Sequence, residues 1–361
     1  AIQSGVSTRV KEFDVCGRAF GTDGRWREVR GSTSETLVDS QNSFLTSVPK
    51  RLSFGGWYWY QRMRHRNVLV CCETPVLDGK KVLMNDVIDF RFRPVGARSW
   101  NRETTFHYLD RMGLQPTPSF EAQSLDLMFQ EMDEAGIAVG VIGVPGPTDI
   151  RGLDPMGGEA VSGLIDEYPD RFVAFGSVEP SDVEAATSSI REMGRAGVKG
   201  VTIDPSTAQI HRQFHDRALY PLYEEAAQHS MLVTTTQSCL LGPYMEDCRP
   251  EYVDRVATDF PNLQIVIQHG GWPYVHEAIG VLYKQPNVFM VPGQYVHYGF
   301  PGSTEYVEAL RRQCSDQIIF GSVYPNCGSL AELRTIISAW ELPEEVERRY
   351  LRENAASLLN L

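Results

Sequence analysis

From Asp86 onward the chain alternates short apolar runs with longer segments in which apolar positions recur every three or four residues. The runs fall at 87–92, 138–144, 172–178, 199–203, 231–236, 264–268, 288–291 and 317–320. Brief stretches rich in Val, Ile and Phe suit strands buried on both faces. Between them, 121–135, 159–167, 182–195, 219–228, 251–259, 274–283, 304–313 and 330–340 carry the period of amphipathic helices. Strands that alternate with helices in this way predict a parallel sheet with crossover helices. Eight such units within residues 85–361 predict one (β/α)8 barrel, with a doubly wound sheet as the alternative. Pro180-Ser181-Asp182 and Arg249-Pro250 place prolines and a short capping side chain where helix starts prefer them.

Residues 1–84 break the pattern. They hold 13 basic and 8 acidic residues, leaving 21 and 38 in 85–361, so a net charge of -12 is spread unevenly. The segment SFGGWYWYQRMRHRN mixes aromatics with arginines but has no period and no nucleic-acid-binding motif. An extension that forms a lid or a subunit interface, or an addition upstream of a start at Met84, both fit. The acidic remainder disfavours nonspecific nucleic-acid binding, which needs clustered Lys and Arg. No run approaches the roughly 20 apolar residues of a membrane span, and no secretion signal is visible near residue 1. Seven cysteines without Cys-x-x-Cys spacing suit a reducing compartment, and a cytoplasmic location is expected. The adjacent Cys71 and Cys72 read as a buried apolar pair.

The first run carries the most telling chemistry. Val87 to Pro94 reads VIDFRFRP. Residues two apart on a strand share a face, so Arg91 and Arg93 project together. Two neighbouring guanidinium groups repel and cannot shed their protons, so an anion is expected beside them.

Three later segments add to this one: ALYPLYEEAAQHSMLVTTT from Ala218, IVIQHGGWPY from Ile265 and IIFGSVYP from Ile318. With VIDFRFRP they resemble the amidohydrolase-related (amidohydrolase 2) branch of the amidohydrolase superfamily. The resemblance implies a barrel with a His-x-His pair after its first strand, one His after each of the fifth and sixth, and an Asp after the eighth. In this sequence the pair is Arg91-Phe92-Arg93, and the fifth-strand position falls on Thr235, Thr236 or Gln237. The eighth-strand position is Val323, and only His269 matches. One imidazole does not hold Zn²⁺, which takes three protein ligands even in an open catalytic site. The resemblance with these departures therefore implies the fold, but no metal and no other cofactor. It also implies that the terminal segment ENAASLLNL closes the barrel bottom.

Barrel enzymes build their sites at the carboxyl ends of the strands. Here that gives Glu179, Asp204, Thr235, Thr236, Gln237, Cys239, His269, Trp272, Gln294, Tyr295, His297, Tyr324 and Asn326 besides the arginines. His269, helped by Asp204 or Glu179, is the expected proton-transfer group, because imidazole changes charge near neutral pH. Arg91 and Arg93 are expected to hold a substrate carboxylate, with Trp272, Tyr295, Tyr324 and Gln237 around the rest of it. Each has a plainer alternative: an arginine ion pair with Glu179 or Asp204, a core histidine, or aromatic packing. The paired glycines match neither a P-loop nor a dinucleotide fingerprint. The function expected is a metal-independent hydrolase acting on a small carboxylated cyclic or aromatic compound, a lactone or related ester or amide. The alternatives are a lyase, such as a decarboxylase or hydratase, and a binding barrel without catalysis. A small carboxylate is the expected partner, and a homo-oligomer is compatible with the sequence.

Overall fold

Strands of three to seven residues form at the first seven of the eight apolar runs. The computed structural model describes residues 14–20, 26–32, 86–96, 102–143, 158–240 and 242–361. The chain divides into two compact units, Ala1–Lys81 and Val82–Leu361. In the first, β1 (Asp14–Phe20) pairs antiparallel with β2 (Trp26–Ser32), Phe20 opposite Trp26.

The second unit holds one parallel sheet of seven strands in sequence order. These are β3 (Val87–Asp89), β4 (Ile137–Gly143), β5 (Phe172–Ser177), β6 (Gly200–Thr202), β7 (Leu232–Thr236), β8 (Ile265–Gln268) and β9 (Val288–Val291). The eighth apolar run forms no regular strand, yet it closes the ring. On one side Met290 N–H donates to Gln317 O at 2.9 Å and Ile319 N–H to Met290 O at 2.8 Å. On the other, Phe90 N–H donates to Phe320 O at 3.0 Å and Arg93 N–H to Tyr324 O at 3.1 Å. Parallel bridges at Met290 with Ile318 and Phe92 with Tyr324 complete the (β/α)8 barrel.

Side chains divide between two cores. Val87, Val201, Val233, Ile265, Ile267 and Val288 pack outward with helix residues such as Leu222, Val256 and Ala278. Ile88, Phe90, Val141, Phe175, Leu232, Val266, Val291 and Ile319 meet inside the ring. Ala355, Leu358 and Leu359 of the helix Asn354–Leu359 join that inner cluster, so this helix plugs the barrel bottom.

Helix boundaries follow their caps. Asp182 accepts a hydrogen bond from Ala185 N–H at 3.0 Å and opens Val183–Arg195, and Pro250 stands at the first position of Pro250–Asp259. The single helix expected over 121–135 is instead two, Pro118–Ala122 and Leu125–Glu134. Gln123 enters the left-handed region at φ 52°, and the Ser124 side chain caps the second helix. One more helix, Arg102–Met112, follows β3 before the usual crossover helix. Among the described residues no helix is long and apolar enough to cross a membrane.

Candidate active site

Inside the barrel the strand sequences change character within one step of two residues. Leu232 is followed on the inner face by Thr234 and Thr236, Val266 by Gln268, and Thr202 by Asp204. The change creates a polar cavity at the carboxyl ends of the strands, over a floor in which Phe90 and Phe175 meet edge to face at 5.6 Å. Its polar lining is Arg91, Arg93, Thr202, Asp204, Thr234, Thr236 and Gln268, packed closely enough to leave little free space between them.

Both arginines reach this cavity and are buried, Arg91 8 % and Arg93 6 % exposed. The eighth segment makes room for them. A side chain on Gly321 would meet Val291 Cγ1 at 2.5 Å and Arg91 Cβ at 3.1 Å, so the wall beside Arg91 must be bare backbone. Asp204 lies in the same cavity, and its carboxylate is fixed from β7. Thr236 N–H donates to Oδ1 at 2.6 Å and Thr236 Oγ1–H to Oδ2 at 2.9 Å. Thr202 and Thr234 join their hydroxyls at 3.1 Å beneath it.

Asp89 was missed by sequence reasoning although it stands two residues before Arg91. It is fully buried outside the inner cluster, and its Oδ1 accepts Arg91 N–H at 3.1 Å and Ser322 N–H at 2.9 Å. It thereby staples the first strand to the eighth segment. Burial pushes its carboxyl up to about 7, against the opposing effect of Ser322 and Arg91.

His269 does not line the cavity; Gln268, one residue earlier, does. His269 leaves β8 with φ at 65° and lies edge to face against Tyr295, ring centroids 5.9 Å apart. Tyr295 stacks on Trp272 at 4.9 Å and 8°, and its hydroxyl lies 2.8 Å from Ser238 Oγ. The Trp272 indole donates to Pro301 O at 2.9 Å. The expected aromatic wall exists, but it is packed on itself. Gln237 N–H donates to Gln268 O at 3.0 Å, and Gln237 O accepts Gly271 N–H at 3.1 Å, which ties the fifth strand end to the sixth.

Two expected site residues stand elsewhere. Glu179 is turned back onto its own loop, where it accepts from Ser181 N–H at 3.0 Å and from the Ser181 hydroxyl. Tyr324 points outward through the wall: its ring stacks on Phe92 at 4.6 Å and its hydroxyl meets Ser119 Oγ. His297 is also outside the cavity, bonded to the Tyr350 hydroxyl at 2.9 Å, with burial lowering its imidazole to about 3. Tyr108 was not anticipated. Helix Arg102–Met112 brings its phenol to Gln294 at 2.8 Å and within electrostatic reach of Arg91.

The lining does not suit a divalent metal. Guanidinium groups have no lone pair to offer and repel a cation, and the cavity holds one carboxylate and no imidazole. Among the described residues no three His, Cys, Asp or Glu side chains gather as a metal ion requires.

Residues 122–361 match the amidohydrolase family model, and the chain belongs to that family. No curated protein matches the sequence. An uncharacterized TIM-barrel protein from Bordetella bronchiseptica is 32% identical, with a TM-score of 0.71 over 76% of this chain and 98% of its own. The 2,6-dihydroxybenzoate decarboxylase from Rhizobium shares the fold at 15% identity and TM-score 0.55, covering 77% of this chain and 99% of its own. A probable 2-pyrone-4,6-dicarboxylic acid hydrolase from Acinetobacter baumannii, solved with citric acid bound, does so at 14% identity and TM-score 0.53, covering 76% and 100%. The family and these neighbours are enzymes of both hydrolytic and decarboxylating kinds.

Proposed function

We propose that this chain is a metal-independent hydrolase acting on a small carboxylated cyclic or aromatic compound, a lactone or a related ester or amide. The observation that carries the reading is the meeting of Arg91, Arg93 and Asp204 in one cavity at the strand ends. Guanidinium groups match a planar carboxylate in pairs and also stabilise negative charge that develops on a carbonyl oxygen. Asp204, held by Thr236 and adjacent to the arginines, takes the proton from an attacking water. His269, one residue beyond the cavity-lining Gln268 and packed against Tyr295, is the alternative base, while Glu179 serves its own loop. Trp272, Tyr295 and Gln237 then shape the cavity edge.

A lyase is the second reading, favoured by Val323. The resemblance puts an aspartate there to manage the proton of water, and without it a decarboxylation that needs only proton delivery to carbon is the smaller demand. A panel of ring carboxylates and lactones, assayed with chelator-treated protein, tests both. Hydrolysis that survives chelation and is lost in Asp204→Asn supports the first reading, and release of carbon dioxide supports the second. Activity that appears only with added transition metal overturns the metal-independent mechanism.

A further inference from the structure

The first strand changes phase at Phe90. Ile88 and Phe90 lie in the inner cluster, so alternation assigns Asp89 and Arg91 to the outer face. Asp89 obeys, fully buried and outside the cavity, whereas Arg91 lines the cavity. The hydrogen bonds show the same slip. In an unbroken strand the N–H groups of residues two apart point to one neighbouring strand. Val87 N–H donates to Gly136 O beside β4 and Phe90 N–H to Phe320 O of the eighth segment, both at 3.0 Å, as alternation requires. Phe92 N–H should then follow Phe90, but it turns to Val141 O of β4 at 3.0 Å. The strand has taken up one extra residue, and bulges of this kind re-aim side chains beside active sites.

Arg91 is the residue whose backbone leaves the ladder. A buried N–H without an acceptor is costly, and here Asp89 Oδ1 accepts it at 3.1 Å, the local turn that an aspartate closes on the residue two positions on. The Arg91 carbonyl accepts Val323 N–H at 3.1 Å, and Asp89 Oδ1 also accepts Ser322 N–H at 2.9 Å. One carboxylate oxygen therefore bends the strand and fixes the bare wall of the eighth segment against the bend. The turn depends on side-chain length. Asp89→Asn keeps an oxygen at the same reach, whereas Asp89→Glu carries its carboxyl one methylene too far.

We propose that Asp89 is the positioning residue that turns Arg91 into the cavity, and thereby sets how tightly the site holds an anion without touching the ligand itself. This rests on the carboxylate clamp proposed above. Loss of the turn lets Arg91 revert to the outer face and leaves the site with one guanidinium group.

Calorimetric titration of the full chain with benzoate at about pH 6 is the test, with melting temperatures as the check on folding. At that pH the native Asp89 carboxyl, raised to about 7, is mostly protonated, so Asp89→Asn resembles it closely. Asp89→Asn should bind benzoate within about threefold of the native chain. Asp89→Ala and Asp89→Glu should each bind about tenfold more weakly, the effect of misplacing one charged donor. Should Asp89→Ala not fold, Asp89→Glu makes the comparison. Adding Asp89→Glu to Arg91→Met should cost no further affinity, because Asp89 acts through Arg91. Three results overturn the proposal: native affinity in Asp89→Glu, a tenfold loss in Asp89→Asn, or a tenfold loss in the double variant beyond that of Arg91→Met. Arg91→Met separates the two proposals. If it weakens binding while Asp89→Glu does not, the clamp stands and Asp89 is only a support. If it binds as the native chain does, or the native chain binds no benzoate, the clamp itself falls and the role of Asp89 falls with it.

Discussion

The hydroxyl of Tyr324 and Oγ of Ser119 lie 2.7 Å apart although 205 residues separate them. Ser119 in turn gives its hydroxyl to Glu131 Oε2 and its N–H to Glu131 Oε1 at 2.9 Å. A tyrosine expected at the substrate is thereby tied to the helix layer behind the barrel. Tyr324→Phe should cost about 1 kcal/mol, a fall of roughly 2 to 4 °C in melting temperature, and leave turnover unchanged. A stable variant without activity would return the phenol to the chemistry.

Arg91 and Arg93 should be unequal to lysine at the same positions. Arg91→Lys and Arg93→Lys keep the charge but lose the paired donors, so carboxylate affinity should drop about tenfold, and Met at either position should lower it further. Titration with benzoate measures both. Unchanged affinity in both Met variants would make the arginines internal supports of the barrel mouth.

Asp204→Asn should leave the fold intact, because an amide oxygen can still accept from Thr236 N–H. Loss of the base should lower kcat by about 10² to 10⁴ with little change in KM. The same measurement on His269→Asn ranks the two. A larger kcat loss in the His269 variant would shift the principal proton transfer there.

Asp89 predicts a pH dependence of stability. Its folded-state carboxyl titrates at about 7, above the ordinary value of 3.8, so the folded protein binds the proton more tightly than the unfolded chain does. The stabilisation from that proton is full below about pH 4 and is lost as pH rises through 7. Asp89→Asn imitates the protonated group and should flatten this part of the curve, so the variant gains on the native protein between pH 4 and 7, by an amount of order a few kcal/mol. Melting temperatures from pH 4 to 9 give the answer. A native protein that gains stability relative to the variant over that interval would contradict the account.

The barrel itself was readable because each strand carries a short apolar stretch, and such stretches have few other ways to be buried. The eighth run was readable as apolar, whereas its irregular path was not: Val323 takes φ at 66°, a value no side-chain rule for a β-branched residue anticipates. Alternation on the first strand correctly brought Arg91 and Arg93 to one cavity, but a bend at Phe90 and Arg91 lets both of these neighbours line it and leaves Asp89 on the other side. Thr202 and Thr234 each lie two residues from a recognised position, Asp204 and Thr236, so the same rule, carried one step further, finds them, whereas Gln268 is the neighbour of the expected His269 and the rule turns it away. Helix Arg102–Met112 was hidden because only Thr105 and Leu109 are buried, too weak a stripe to show as a period. His269 stood out by resemblance alone, and its placement depends on a left-handed turn that residue type does not announce.

The plug beneath the barrel sets the order in which this protein can be made. Ala355, Leu358 and Leu359 cover Ile88 and Phe90, which the ribosome releases long before them. Until the eighth segment and that final helix emerge, every nascent form is a trough whose oily inner face and two strand edges stand uncovered. Emergence of that helix, rather than the appearance of any single strand, is therefore the event that lets the barrel finish folding, and the interval before it is when a chaperone has most to grip.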